Sequence, residues 1–598
     1  MARTVAIGIQ DFEEIIREDY FYIDKTAFIR EWWKSGDKVT LIARPRRFGK
    51  TLNISMLEAF FSNRYQDRGD LFEGLHIWQY EEYRKLQGTY PVISLSFARV
   101  KESDYKTARK KICEILMNLY SKNVFLRDSE VLTDKDREYF DRISTEMDDS
   151  DATSALYQLS DYLFRYYGKK VIILLDEYDT PMQEAYVSGY WEEFTAFIRS
   201  LFNSTFKTNP NMERAVMTGI TRVSKESIFS DLNNLEVVTT TTDKYVTAFG
   251  FTEEEVFASM DEMGLTDKEG VKRWYDGFVF GEVEDIYNPW SIINYLDKRK
   301  FSTYWANTSS NSLVGKLIRE SGVSCKKTFE KLLHGETIMV PVDEQIVYNT
   351  LYNDESAIWS LLLATGYLKV LHFQVDAESD YDEEYPIYTM TLTNEEVRRM
   401  FYRMVKNWFS QTKESYNGFI EAMLAGDLKL MNKHMTHMCE TVFSYFDTGK
   451  GRMGDEPERF YHGFVLGLVV SMSKEYHVRS NRESGYGRYD IMIYPKEQTG
   501  VSTGMKPSFG SKLSFGSKPS FGSKPSFGRL KNALIMEFKV HDQEDEKDLS
   551  ETVGVALAQI EEKNYAAELK ALGFPEENIK KYGFAFEGKK VLIGEYVG

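Results

Sequence analysis

Cysteine is scarce in this 598-residue chain: Cys113, Cys325 and Cys439 are the only three. They follow neither a disulfide framework nor a metal-ligand spacing, which excludes a disulfide-stapled secreted scaffold and fits a reducing cytoplasm. His434 and His437 precede Cys439, but with no fourth ligand this stretch reads as a helix surface and not as a metal cluster. Long apolar runs are also missing, so no segment suits a bilayer span and no membrane partner is expected. The first residues lack the basic-then-apolar pattern of a signal peptide, so a cytoplasmic location is expected. Basic residues are in deficit, with 75 Lys and Arg against 92 Asp and Glu and a net charge of −17. That balance argues against a chain that coats nucleic acid nonspecifically, while leaving room for a local basic groove. A chain this long holds roughly two to four domains.

What is present begins with Val39-Thr40-Leu41-Ile42-Ala43, followed by Arg44-Pro45-Arg46-Arg47-Phe48-Gly49-Lys50-Thr51. The pattern is a short buried strand, a turn, and a helix opening at Leu52. Gly49 lets the backbone approach phosphate oxygens, Lys50 reaches the β/γ-phosphates, and the Thr51 hydroxyl suits Mg²⁺. The following helix adds free N–H groups and the favourable end of its dipole. Arg46 and Arg47 are candidates for phosphate contact. Arg44 stands where G-x-x-x-x-G-K-[ST] has its first glycine.

A second apolar run, Val171-Ile172-Ile173-Leu174-Leu175, ends in Asp176-Glu177. It reads as a central parallel strand, buried on both faces, that delivers two acids to the sheet edge where open α/β folds bind ligands. Asp176 is expected to hold Mg²⁺ through water and Glu177 to polarise the attacking water. Pro91 to Phe97 supplies an intervening strand. Ala215 to Ile220 supplies another beside the acidic pair, with Thr218 as candidate γ-phosphate sensor and Arg222 as a basic group near the nucleotide. Upstream, Asp24 is expected to cap the helix through Ala27, Phe28 and Trp32. From Phe249 onward the pattern turns helical, opened by a capping box at Thr252 and Glu255. The aromatic stretch from Trp274 to Trp290 reads as a packed loop between helices.

The C-terminal third carries a second chemical pattern. Tyr489-Asp490-Ile491-Met492-Ile493 and Ala533-Leu534-Ile535-Met536-Glu537-Phe538-Lys539-Val540 read as strands with acids among apolar residues. Glu537 and Lys539 are two apart and share a face. Asp490 and Glu537 are placed to hold a metal jointly, with Lys539 positioning the attacking water and steadying phosphate charge. Between the strands run four near-identical hexamers from Lys506: KPSFGS, KLSFGS, KPSFGS and KPSFGR. This composition builds no core and reads as a disordered insertion over about 499–531. Excising it leaves Asp490 and Glu537 about 14 residues apart, a reasonable hairpin. Glu458 precedes a helical apolar face and offers a third carboxylate. Arg479, Arg482 and Arg488 give local positive charge, and Gln559 and Tyr565 follow on a later helix.

Taken together, these residues resemble a known family: bacterial AAA-ATPase-like proteins with a C-terminal PD-(D/E)XK nuclease-superfamily domain. The resemblance rests on Tyr22-Ile23-Asp24-Lys25-Thr26, the Arg44–Thr51 loop, Leu175-Asp176-Glu177-Tyr178-Asp179-Thr180-Pro181 and Thr218-Gly219-Ile220-Thr221-Arg222-Val223-Ser224. Downstream it rests on Tyr461-His462-Gly463-Phe464, Ser484 to Asp490 and Glu537-Phe538-Lys539. Arg44 in place of glycine is then a family trait. The usual proline before the first aspartate is Tyr489 here. The resemblance implies an α/β multi-domain fold: a P-loop core on a parallel sheet over 1–248, a mostly helical lid or accessory domain over 249–405, and a restriction-endonuclease-like α/β domain over 406–598. It implies ATP and Mg²⁺ as cofactors, with Mg²⁺ or Mn²⁺ in the second site, and DNA or RNA as partner; it is compatible with a homo-oligomer. The expected function is an ATPase whose nucleotide state regulates a nuclease-like tail. The alternative is a switch whose tail binds nucleic acid or protein without cutting.

Overall fold

A computed structural model describes residues 3–222, most of 228–442, the single positions 465, 469 and 472, and 476–596 apart from 485–486, 497–531 and 543–545. The chain divides into two units, Met1–Phe401 and Tyr402–Gly598. Glu458 and the hexamer repeats lie outside the described residues. Among the described residues, no helix is long and apolar enough to cross a membrane.

In the first unit, β1 (Val39–Ala43), β2 (Val92–Ser96), β3 (Val171–Asp176), β4 (Met212–Gly219) and β5 (Leu235–Val238) form a parallel sheet in the order β2-β3-β4-β1-β5. Every residue of β1 and β3 is buried, the consequence of continuous apolar runs covered by helices on both faces. The helix Lys50–Phe61 starts two residues before the expected Leu52, because Gly49 at φ 79° closes the turn and Lys50 is already helical. β4 lies between β1 and β3, with Ala43 opposite Gly219 and Leu175 opposite Met217. The carboxyl ends of the phosphate-loop strand, the acidic strand and the Thr218 strand therefore meet at one edge.

Two local expectations change. Thr26, not Asp24, is the N-cap of helix Ala27–Ser35. Asp24 instead accepts from the Thr26 N–H and hydroxyl (2.8 and 2.7 Å) and from the His76 N–H (2.6 Å), tying two distant segments. The stretch after Trp274 is no loop between helices. Together with β6 (Phe251–Thr252), β7 (Phe278–Phe280) and β8 (Val283–Tyr287) form a small antiparallel sheet ordered β6-β8-β7. Its short strands carry too few residues for alternation to show. Trp274, Tyr275 and Tyr287 are core, packed with Val256, Met260 and Ile292. The capping box of Thr252 and Glu255 opens helix Glu253–Glu262. A further three-stranded sheet, β10-β11-β9, combines β9 (Ile338–Pro341), β10 (Leu368–Gln374) and β11 (Ile387–Leu392).

The second unit is built on β12 (Tyr476–Ser484), β13 (Gly487–Pro495), β14 (Ala533–Val540), β15 (Ile579–Glu587) and β16 (Lys590–Glu595), in sequential order. All neighbours are antiparallel except β14 and β15, which run parallel. Helix Leu549–Glu562 is the crossover between those two, as parallel pairing requires. Met492, Ile535, Ile560, Tyr565 and Leu569 form the core beneath it. His434 and Cys439 lie on helix Leu428–Val442.

Candidate functional site

The first site sits at the carboxyl edge of the parallel sheet. The loop between β1 and helix Lys50–Phe61 turns through Arg47 (φ 66°) and Gly49 (φ 79°), the left-handed geometry that folds a short segment back on itself. Lys50 is 6% exposed, and its ammonium donates to the loop carbonyls of Arg44 (2.9 Å) and Pro45 (2.8 Å). Burial lowers its pKa, while Glu177, Asp179 and Asp176 push the other way. The Thr51 hydroxyl donates to Asp176 Oδ2 at 2.8 Å, and the Thr218 hydroxyl donates to Asp176 Oδ1. Burial pushes the Asp176 carboxyl up against these two hydroxyl contacts. Glu177 occupies φ 52°, a strained setting for a side chain with a Cβ. Its N–H donates to the Thr218 hydroxyl (3.3 Å), and its carboxylate accepts from Thr180 (2.9 Å). Thr51, Ser55, Ser96, Arg99, Asp176 and Glu177 line a cavity of about 540 Å³. Lys50, Thr51, Asp176, Glu177 and Thr218 are thus brought together.

Arg46 donates to Gln183 (3.2 Å) and its charge acts on Lys50, and Arg47 lies over the Trp290 ring at 4.4 Å. Arg222 lines a small cavity with Ala43, Ile220 and Thr239. Arg44 is fully buried. Its guanidinium donates to the carbonyls of Thr239 and Lys244 and lies 4.5 Å over Phe280. Among the described residues no carboxylate pairs with it, and burial lowers its pKa to about 9. The residue that replaces the first glycine is a pillar under the loop. Around it, Phe48 packs on Phe278 and Phe280 at 4.7 and 5.4 Å, and Asn288 donates to the Arg46 carbonyl at 3.2 Å.

Sequence reasoning passed over Tyr178 and Asp179 as chemical groups. Asp179 is 1% exposed and accepts from Ile220 N–H, Thr221 N–H and the Thr221 hydroxyl. The signal was a third acid on the same turn, three residues after Asp176. Another acidic trio, Glu253, Asp276 and Asp285, gathers its oxygens within 4.8 Å, but the Lys272 ammonium already bridges Glu253 and Asp285.

The second site lies on β13 and β14. Ile491 pairs with Met536, which sets Asp490 level with Glu537. Asp490 Oδ2 accepts from the Phe538 N–H at 2.8 Å. Glu537 is 2% exposed. Its Oε1 accepts from Gln559 Nε2 and lies 3.6 Å from Lys539 Nζ. Gln559 also donates to the Tyr565 hydroxyl at 3.0 Å, whose pKa burial raises. Asp490, Glu537, Lys539, Gln559 and Tyr565 therefore form one polar cluster. Arg479 is paired with Glu568 and lies over Tyr494.

Both donor sets suit the cofactors they imply. Hydroxyl and carboxylate oxygens at Thr51 and Asp176, and the carboxylates of Asp490 and Glu537, are the hard ligands that Mg²⁺ selects.

Comparison with known proteins agrees with this division. Residues 6–229 match the family model described as Predicted AAA-ATPase. Residues 456–503 and 526–596 match that of the PD-(D/E)XK nuclease superfamily. The break in the second match, residues 504–525, covers most of the hexamer repeat. An uncharacterized protein encoded in the vnfD 5′ region of Azotobacter chroococcum mcd 1 is 26% identical over 388 residues, covering 64% of this chain and 67% of the relative.

Proposed function

From a chain that joins a predicted AAA-ATPase domain to a PD-(D/E)XK nuclease-superfamily domain, we propose an ATP-hydrolysing protein whose nucleotide state regulates a metal-dependent nuclease-like site acting on DNA or RNA. The observation that carries the reading is the convergence of Thr51, Asp176, Glu177 and Thr218 beside a buried lysine. Lys50 spends its hydrogen bonds on two loop carbonyls, contacts that phosphate oxygens would replace with stronger, charge-assisted ones. Glu177 would orient and deprotonate the attacking water, and Thr218 would report the γ-phosphate. Mg²⁺ held by Thr51 and Asp176 would neutralise charge on the phosphate oxygens.

In the second site, Asp490 and Glu537 would hold Mg²⁺ or Mn²⁺, whose role would be to polarise the phosphodiester. Lys539 would orient the attacking water and steady charge on the phosphate, while Gln559 keeps the Glu537 carboxylate in place. Regulation by nucleotide finds support in the phosphate loop's own surroundings. Phe278, Phe280, Asn288 and Trp290 touch it directly, so any rearrangement of the loop on binding ATP is felt in the segment that follows the ATPase domain. A reducing cytoplasm suits the three buried cysteines, which form no disulfide among the described residues.

A plasmid-nicking and RNA-cleavage assay with Mg²⁺ or Mn²⁺, with and without ATP, tests the reading. Cleavage that responds to ATP and is abolished in Lys539→Ala is expected. Cleavage that persists in Lys539→Ala rejects the site. No cleavage of either nucleic acid under any condition favours a switch that binds without cutting.

A further inference from the structure

We propose that Asp179 is a positioning residue for nucleotide turnover, fastening the end of β4 so that the Thr218 hydroxyl stays between Asp176 and Glu177. The inference rests on the ATPase reading of the first site.

Thr218 has a demanding place. Its hydroxyl donates to Asp176 and accepts from the Glu177 N–H at 3.3 Å, so a small displacement of β4 breaks both contacts. β4 ends at Gly219, and among the described residues the backbone beyond it has no further strand pairing. The dipeptide Tyr178-Asp179 takes over. The Tyr178 N–H donates to the Thr218 carbonyl at 2.9 Å. Asp179 Oδ2 accepts from the N–H groups of Ile220 and Thr221, both at 2.9 Å, and from the Thr221 hydroxyl at 3.0 Å. The Tyr178 hydroxyl donates to the Thr221 carbonyl at 2.7 Å. Residues 218, 220 and 221 are thus each tied to the turn that follows the catalytic acids.

Gly219 closes the argument. A Cβ there would lie 2.6 Å from the Tyr178 ring and 2.9 Å from Asp179 Cγ. The two side chains press against bare backbone, and this closeness makes the geometry stiff.

The choice of a charged group for the tie also points toward the site. Among the described residues, Asp179 Oδ1 is buried and has no hydrogen-bond donor, and burial raises the carboxyl's pKa. A fold rarely tolerates such a group unless it serves a function. Its charge acts on Lys50, alongside those of Glu177 and Asp176. Asp179 thereby links the phosphate-binding lysine with the strand end that carries Thr218.

Substitution separates this role from simple stabilisation. The full-length protein is assayed for binding of a fluorescent ATP analogue with Mg²⁺, for steady-state ATP turnover, and for melting temperature. Asp179→Ala should bind ATP within about threefold of the parent yet turn it over about 100-fold more slowly, the scale of losing one preorganised group at a reacting phosphate. Asp179→Asn keeps an acceptor for the same three donors but lacks the charge that acts on Lys50, and should recover about tenfold of that loss. Should Asp179→Ala fail to fold, the Tyr178→Phe, Thr221→Val double variant removes two side-chain ties and keeps both N–H contacts. About tenfold slower turnover at unchanged affinity is expected there. Affinity and turnover falling in parallel overturns the proposal, as does an Asp179→Asn variant no better than Asp179→Ala, or a double variant with parental turnover. If the parent binds no ATP analogue, or binds it equally well as Lys50→Met, the ATPase reading itself falls.

Discussion

Glu177 is the residue on which the proposed hydrolysis turns. It follows a fully buried strand, takes a left-handed backbone conformation and is held by Thr180 at 2.9 Å. Glutamine reproduces that geometry and removes the proposed base. Glu177→Gln should therefore bind ATP normally and hydrolyse it at least about 100-fold more slowly, read by steady-state phosphate release; unchanged turnover would reject Glu177 as base. A second residue, Glu396, makes a pH prediction. It accepts from Ser291 (2.7 Å), Trp305 N–H (2.6 Å) and Ala306 N–H (3.2 Å), yet burial outweighs these bonds and pushes its pKa up to about 7. A raised folded-state value means that the fold binds the proton more tightly than the unfolded chain does. The stability so gained is complete below the ordinary carboxylate value and is lost as pH rises through about 7. The melting temperature should fall between about pH 5 and pH 7, and Glu396→Gln should flatten that slope; an unchanged slope would show that Glu396 does not titrate there.

At the scale of elements, the loop from Arg44 to Thr51 is held from several sides. Arg44 supports it from below through two backbone carbonyls and the Phe280 ring, and Phe48 seals it against Phe278. Arg44→Ala removes the guanidinium's hydrogen bonds to these carbonyls and leaves a cavity beside Phe280, so it should cost about 3 kcal/mol in denaturant melts. Arg44→Gly, which restores the usual phosphate-loop glycine, should be no better. A glycine variant of parental stability would contradict the pillar. The motif itself marks this position only as a departure, because a sequence pattern cannot show that a side chain points away from the phosphate. The hairpin of β7 and β8 was equally hidden. Its strands are three and five residues long, too short for a period of two to stand out from a run of aromatics.

For the molecule as a whole, the two sites reside in separate units, and the family match to the tail skips residues 504–525, which hold most of the repeat. Deleting residues 504–525 should leave the melting temperature and any nicking activity at parental levels; loss of either would assign the repeat a role. The sequence by itself determined the two strand-borne acid pairs, the phosphate loop and a Thr218 strand beside the acidic one. Buried parallel strands need continuous apolar runs, and a shared strand face follows from spacing two. It also located Asp490, Glu537 and Lys539, because a hairpin places them together once the repeat is set aside. Tertiary structure alone decided where the arginines point, that Arg44 is a buried pillar, and that Asp179 ties down the end of β4. Those outcomes depend on which backbone carbonyls and rings lie nearby in space, from segments as far away as residues 239 and 280, and no local pattern encodes that proximity.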